Sequence, residues 1–194
     1  LMTGLFLDQR ANRDWLQKHS DRKRVCNTFS YTGSLSIACG LGNAFVTRSI
    51  DLSRTYTDWC RHNLALNDLL IPEHESITSD TFAHFAYCKR KGIKYDLIIL
   101  DPPTFSKNKK GTFSVPDNYE RLVKEAIELL SPKGFLMSCT NYSQWSLAQF
   151  KRLHQNWIAR HYRVVHEGGA DLDFPKHPNW PESEHLKCIV LQLN

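Results

Sequence analysis

Residues 24–33, Arg-Val-Cys-Asn-Thr-Phe-Ser-Tyr-Thr-Gly, decide the fold of this chain. A short apolar run passes into a polar turn that Gly33 closes, and a helical pattern follows over residues 34–41. This order predicts a β-strand, a tight turn and the N-terminus of a helix. In an open α/β sheet such a turn lies at the carboxyl edge, where ligands bind. The free N–H groups of the helix start there favour an anionic or strongly polar ligand.

Asp51 follows the next predicted strand, residues 45–50, and a carboxylate at this neighbouring strand tip can accept hydrogen bonds from both hydroxyls of a ribose. The glycine-rich fingerprint of dinucleotide sites is absent, because the turn contains one glycine and the bulky Phe29 and Tyr31 would obstruct a pyrophosphate. A cofactor with a ribose but no phosphates fits better. S-adenosylmethionine is the common cofactor of that kind.

The composition is that of a globular protein: 194 residues, 41% hydrophobic and 23% charged, enough for one domain with a sizeable core. No apolar run is long enough to span a membrane, and the first residues do not form a signal peptide. The six cysteines are scattered singly, so we expect reduced thiols, no metal site and a cytoplasmic location. The net charge of +5 is compatible with nucleic acid but does not establish it.

Strand and helix patterns alternate along most of the chain, and two strands joined by a long loop end it. This order predicts an α/β fold with a doubly wound, mainly parallel sheet and a C-terminal antiparallel hairpin. The polar residues 104–117 are predicted to form a mobile loop. The predicted helices are residues 9–19, 34–41, 54–67, 81–90, 119–130 and 145–160, and the predicted later strands are residues 45–50, 75–78, 95–100, 135–139, 162–165 and 185–193.

Aspartates end three successive predicted strands, at Asp51, Asp80 and Asp101. Any one of them could simply cap a turn, but three beside the glycine turn favour a binding site. Asp80 is placed to accept a hydrogen bond from an adenine amino group, and Asp101 lies nearest the reaction centre. Asp8, before the first strand, is a candidate cap for the first helix.

Asp101 opens the motif Asp101-Pro102-Pro103. The two prolines fix the backbone and lack N–H groups, so the chain leaves the strand tip rigidly while its carbonyls stay free. Such carbonyls suit the amine or amide of a base that has been swung out of its stack. Alone, the tripeptide is equally typical of a rigid loop.

On these motifs the sequence resembles the class I S-adenosylmethionine-dependent methyltransferases. More narrowly, it is similar to bacterial large-subunit ribosomal RNA methyltransferases that act on cytosine C5 or guanine N7. The similarity lies in residues 3–10, 27–33, 51–53, 63–67 and 101–105 and extends over nearly the whole chain. It implies a Rossmann-like, seven-stranded sheet and makes residues 1–194 the catalytic domain. In that family an RNA-binding module or a second methyltransferase precedes this domain, so we expect the chain to be a fragment.

The resemblance also implies roles for individual residues, with Arg10 pairing with the carboxylate of the cofactor's methionine. The residues expected to bind S-adenosylmethionine, and its product S-adenosylhomocysteine, are Asp8, Arg10, Asn27, Phe29, Ser30, Tyr31, Thr32, Gly33, Asp51, Ser53, Asp80, Thr81 and Asp101. The residues expected to border or attack the target base are Asp101, Pro102, Pro103 and Cys139.

The identity of the target base depends on Cys139. Methylation of cytosine C5 needs a nucleophile that adds to C6, and a thiolate is the usual one. The cytosine-C5 members of the family carry a cysteine at this position, which slightly favours cytosine, although Cys139 could also be a buried strand thiol. Guanine N7 is already nucleophilic and needs only alignment. Asn141 is similar to the guanine-type members.

A cluster of lysines, Lys107, Lys109 and Lys110, follows the proline motif. It could bind phosphates of ribosomal RNA or form a solvated loop. One alternative function is methylation of an exocyclic amine in DNA or protein, but those enzymes usually place an aromatic residue directly after the prolines, where this chain has Thr104. The other is a non-catalytic RNA-binding protein that keeps the fold.

Overall fold

The computed structural model of the chain describes residues 3–108, 111–171, 173–175, 177 and 179–194. It describes the side chains of these residues except at positions 108, 156–161, 181 and 182. Strands and helices alternate in it as predicted. The helices are α1 Arg10–His19, α2 Ser34–Leu41, α3 Arg54–Leu66, α4 Thr81–Lys91, α5 Val115–Ile127 and α6 Leu147–His161. The strands are β1 Arg24–Thr28, β2 Val46–Asp51, β3 His74–Thr78, β4 Tyr95–Leu100, β5 Phe105–Asn108, β6 Gly111–Ser114, β7 Leu130–Thr140, β8 Tyr162–Gly169 and β9 Lys187–Leu193.

Seven strands form one sheet in the order β3-β2-β1-β4-β7-β9-β8. The pairs from β3 to β7 are parallel, whereas β9 runs antiparallel to both β7 and β8. The predicted fold class is therefore confirmed, including the C-terminal antiparallel hairpin. The strand order reverses between β1 and β4, so a crevice opens at their carboxyl ends.

Two apolar layers cover the faces of the sheet, as the continuous hydrophobic run of β4 predicts. Ile98 and Leu100 face a cluster that contains Phe85, Tyr119 and Phe150, whereas the alternate residues of β4 face a second cluster. This second cluster contains Leu97, Ile99, Trp15 and Leu35. Helices on both faces fix the strand tips at one edge of the sheet.

The segment predicted as a mobile loop is instead a β-hairpin followed by a helix. Phe105 of β5 pairs with Ser114 of β6, and Ser114 then caps α5 by accepting from the N–H of Asp117. Pro116 in the first turn suits a helix start. Helix α5 therefore begins at Val115, four residues earlier than predicted.

The predicted fifth strand, residues 135–139, is the end of a longer strand. Leu130 already pairs with Tyr95, and pairing resumes between Phe135 and Leu97. The intervening residues 131–134 bulge out of register, with Lys133 at a φ of 61°. Pro132 and Gly134 lie in this bulge.

Within the described residues, no helix is long and apolar enough to cross a membrane. All six cysteines are buried and free. The same part of the chain contains no group of three side chains suited to hold a metal ion.

Gly33 is expected to be intolerant of a side chain. Its φ is +84°, and a Cβ built there would lie 2.3 Å from Sγ of Cys60. Gly33→Ala should therefore lower the free energy of unfolding by about 2 kcal/mol, through left-handed strain and overpacking. Urea unfolding measures this loss. The matched control is Gly92→Ala, where φ is +64° but nothing lies within 4 Å, so the loss should be about 1 kcal/mol. Equal losses in the two variants would contradict the packing argument.

Candidate active site

A cavity of about 660 Å³ opens at the carboxyl ends of the parallel strands, beside the point where the strand order reverses. This volume lies within the range of small-molecule sites. The structure brings twelve of the predicted site residues to its wall: Asp8, Asn27, Phe29, Ser30, Tyr31, Asp51, Ser53, Asp80, Thr81, Asp101, Pro102 and Pro103.

The turn of residues 29–33 forms one wall of the cavity through a strained backbone. Phe29 and Tyr31 have φ values of 54° and 51°, which bulky side chains rarely adopt. The N–H of Ser30 donates to the carbonyl of Ile50, and that of Gly33 to the carbonyl of Ser30, so the turn is tied to β2. Strain held in this way is typical of ligand sites.

Asp51, the last residue of β2, is held against this turn. Its Oδ2 accepts from the N–H of Tyr31 and its Oδ1 from the N–H of Ser53, both at 2.9 Å. Partial burial raises the pKa of Asp51, and these backbone hydrogen bonds oppose the rise. Each oxygen keeps a further lone pair for a ligand hydroxyl.

Two buried polar atoms on the cavity wall, Oδ1 of Asn27 and Oγ of Ser30, have no hydrogen-bond partner in the protein. The amide nitrogen of Asn27 donates to Oγ of Ser36, which leaves its oxygen directed elsewhere. Buried polar groups almost always have partners, so this pair fits a polar ligand. The residues present therefore suit a nucleoside-type cofactor.

Helix caps position two further polar side chains on the cavity wall. Ser53 caps α3 by accepting from the N–H of Tyr56. Asp80 caps α4 through its Oδ1, which accepts from the N–H of Ala83 at 3.0 Å. Both capping residues line the cavity, as does Thr81.

Asp101, at the tip of β4, lies on the cavity wall, as does the carboxylate of Asp8. Burial raises the pKa of Asp101 to about 7, and the negative charge of Asp8 adds to the rise. Gln9 opposes it, since Nε2 of Gln9 donates to Oδ2 of Asp101 at 2.8 Å. Strongly perturbed carboxylates in a cleft are candidates for functional groups.

The predicted capping role of Asp8 is wrong. Helix α1 begins at Arg10 after a 3₁₀ turn, and no side chain caps either element. Asp8 instead contacts Nε2 of His185 at 2.8 Å, which ties the cavity to the segment before β9.

Arg10, Thr32 and Gly33 lie outside the cavity wall. The guanidinium of Arg10 binds Asp171 and Asp173 at 3.0 and 2.9 Å, so these carboxylates hold the charge predicted for the methionine carboxylate. Thr32 donates from its hydroxyl to the carbonyl of Gly4, which docks the N-terminal segment on the turn.

Cys139 is not brought to the cavity. It has no exposed surface, and its neighbour across the strands is Cys188 of β9. Its Sγ lies 3.9 Å from Nδ2 of Asn12. Contact with Cys188 and burial raise the pKa of the Cys139 thiol well above its ordinary value, which disfavours the thiolate.

Of the predicted phosphate-binding lysines, Lys107 is an exposed residue of β5, and its neighbour Ser106 lines the cavity. Lys109 and Lys110 lie outside the described residues.

Sequence reasoning missed Gln9 as a residue of the site. Gln9 lines the cavity and is almost fully buried, yet it stands in a helix-like pattern between charged residues. Asn141, already singled out in the sequence as similar to the guanine-type members, lines the cavity and accepts from Oγ1 of Thr104 at 3.1 Å. No local signal in the sequence marks Gln9, because its partner Asp101 comes from a distant segment.

The comparisons with known proteins agree with this geometry. The family model described as S-adenosylmethionine-dependent methyltransferase matches residues 1–168. A Bacillus subtilis protein named as a candidate ribosomal RNA large subunit methyltransferase is 36% identical over 195 residues, covering 98% of this chain and 49% of the relative. The ribosomal RNA large subunit methyltransferase K/L of Hahella chejuensis is 36% identical over 185 residues, covering 83% of this chain and 25% of the relative.

A solved structure agrees with both sequence relatives. The crystal structure of a candidate methyltransferase complexed with SAH matches with a TM-score of 0.93 and 32% identity, covering 100% of this chain and 51% of the other. The chain thus spans about half the length of two of these relatives and a quarter of the third.

Proposed function

The chain belongs to the S-adenosylmethionine-dependent methyltransferases, and we propose that it methylates a base of large-subunit ribosomal RNA, with guanine N7 as the target atom. The names of the two relatives support the RNA substrate. A substrate of that kind also implies a cytoplasmic enzyme.

The cavity residues divide naturally between the parts of the cofactor, whose sulfonium supplies an electrophilic methyl group. Asp51 is suited to the ribose hydroxyls and Asp80 to the adenine amino group. Asn27 and Ser30 offer the two polar atoms that lack protein partners. Asp101 and Pro103 would then border the target base.

The buried position of Cys139 is the observation that favours guanine N7 over cytosine C5. Methylation of cytosine C5 requires a thiolate that reaches C6, and this thiol neither lines the cavity nor ionises readily. Guanine N7 carries its own lone pair, so alignment suffices. This reverses the slight preference for cytosine that the position of Cys139 in the sequence suggested.

The electrostatics of Asp101 also suit guanine N7. Methylation there removes no proton and leaves the guanine with a positive charge. An ionised Asp101 near the reacting atoms would stabilise that charge in a site of low polarity. A cytosine mechanism would further require a base that removes the proton from C5.

The exocyclic amine of a DNA or protein substrate is the second candidate. The proline motif after Asp101 supports this candidate. Thr104 argues against it, because enzymes of that class usually place an aromatic residue directly after the prolines and this chain has its aromatic residue one position later, at Phe105. A non-catalytic scaffold would not need the polar atoms and aspartates that line the cavity.

Cys139→Ala tests the target atom. We expect methyl transfer to undermodified large-subunit ribosomal RNA to stay within about threefold of the wild type, because the thiol would take no part in the chemistry. Initial rates with methyl-labelled S-adenosylmethionine measure this. Cys188→Ala, which removes the neighbouring buried thiol, is the matched control. Loss of transfer in Cys139→Ala alone, with an intact circular dichroism spectrum and with 5-methylcytidine as the product of the wild type, would instead indicate cytosine C5.

A further inference from the structure

Gln9 connects the start of α1 to the tip of β4. Its side chain is only 4% exposed, and its Nε2 donates to Oδ2 of Asp101 at 2.8 Å across 92 positions of sequence. A glutamine so deeply buried is uncommon unless its amide is fully used. Here the Gln9 amide hydrogen-bonds to Asp101, the carboxylate that would border the target base.

Asn12 fixes which way the Gln9 amide points. Nδ2 of Asn12, which is fully buried, donates to Oε1 of Gln9 at 2.6 Å. A flipped Gln9 would set its oxygen against the carboxylate of Asp101 and its NH₂ against the NH₂ of Asn12. With Nδ2 of Asn12 directed at Oε1 of Gln9, the Gln9 amide is oriented to donate to Asp101.

Close packing holds Asn12 in place. Gly168 of β8 leaves room for it, because a Cβ at that position would lie 2.9 Å from Oδ1 of Asn12. On the other side, Sγ of Cys139 lies 3.9 Å from Nδ2 of Asn12. The support for Asp101 thus extends from α1 into the antiparallel part of the sheet.

We propose that Gln9, oriented by Asn12, is a positioning residue for methyl transfer: its amide fixes one oxygen of Asp101 so that the carboxylate faces the cavity in one orientation. This inference rests on the proposed function of Asp101. The other charged or titratable groups around Asp101 are Asp8, with its partner His185, and the buried Tyr119 and Cys139. Among these contacts, the Gln9 hydrogen bond is the one that favours the ionised carboxylate.

The first variant is Gln9→Met, which keeps the size of the side chain and removes its hydrogen bonds. We expect kcat for methyl transfer to fall about 10–50-fold, because a loosened catalytic group costs rate. The KM for S-adenosylmethionine should change less than about threefold, and the pH at which kcat is half-maximal should rise. Gln17→Met, at an exposed glutamine of α1, is the matched control and should resemble the wild type.

The second variant, Gln9→Glu, guards against a mere folding defect. A protonated glutamic acid can still donate to Asp101, whereas an ionised one repels it. Activity should therefore peak at the pH where the two carboxyls share one proton, and it should fall at higher pH, where the wild type is most active. A wild-type kcat and pH profile in Gln9→Met, or a wild-type profile in Gln9→Glu, would overturn the inference.

The same assay includes Asp101→Asn. If that variant is as active as the wild type, or if the wild type transfers no methyl group to the RNA, the proposed function fails. If the wild type methylates the RNA and Asp101→Asn is impaired, but the Gln9 variants resemble the wild type, the positioning role alone fails.

Discussion

Asp101→Asn should lower the rate of methyl transfer by about 10²–10³-fold, because the carboxylate lies where positive charge is carried onto the target base in a site of low polarity. Asparagine keeps the shape of the side chain and can still accept from Nε2 of Gln9, so the fold should survive. Single-turnover rates with saturating cofactor measure the loss. Asp14→Asn, an exposed aspartate of α1, is the control.

The same carboxylate predicts the pH dependence of the reaction. Since burial and Asp8 raise the pKa of Asp101 to about 7, wild-type transfer should increase as the carboxylate ionises between about pH 6 and 8. Asp101→Asn should show residual activity without this rise. Undiminished activity in the variant, or a wild-type rate that is flat over this interval, would contradict the assignment.

The stability of the folded protein should change with pH in the opposite direction to the rate of methyl transfer. The folded protein keeps the Asp101 proton up to about pH 7, whereas the unfolded chain releases it near the ordinary pKa of 3.8. The contribution is therefore fully present below the unfolded pKa and is lost as pH rises through the folded one. The melting temperature of Asp101→Asn, relative to that of the wild type, should accordingly rise as the pH increases from the unfolded pKa of 3.8 to about 7.

Asp51→Ala is expected to weaken the binding of S-adenosylmethionine by about 3 kcal/mol, roughly 150-fold, because charge-assisted hydrogen bonds to the ribose are lost. The alanine also releases the N–H groups of Tyr31 and Ser53, so the strained turn loses its anchor. Isothermal titration with the cofactor and with S-adenosylhomocysteine measures the change.

Asp21→Ala, an exposed aspartate remote from the cavity wall, is the control for that titration and should bind normally. Asp51→Asn keeps the size of the side chain and should show an intermediate loss. Equal affinity in Asp51→Ala and the wild type would remove the ribose assignment.

The sequence predicted the parts of this molecule that depend on local pattern. Continuous apolar runs marked the buried strands, and a strand tip followed by Asp or by a glycine turn marked the edge where the cavity lies. Because parallel strands end together, Asp51, Asp80 and Asp101 line one cavity although they are far apart in the chain.

The remaining features depend on contacts between distant segments. Arg10 meets Asp171 and Asp173 across about 160 residues, and Gln9 meets Asp101 across 92. Period-two alternation directs Cys139 away from the cavity, toward the second apolar cluster. Apart from Phe105 and Phe113, the hairpin of β5 and β6 forms from polar residues and a glycine, so its sequence carries little strand signal.

The target nucleoside tests the account most directly. Undermodified large-subunit ribosomal RNA is incubated with the protein and methyl-labelled S-adenosylmethionine, digested to nucleosides and separated by mass spectrometry. The account predicts label in 7-methylguanosine, with the same product from Cys139→Ala. Label in 5-methylcytidine from the wild-type protein, and the loss of that label in Cys139→Ala, would contradict it.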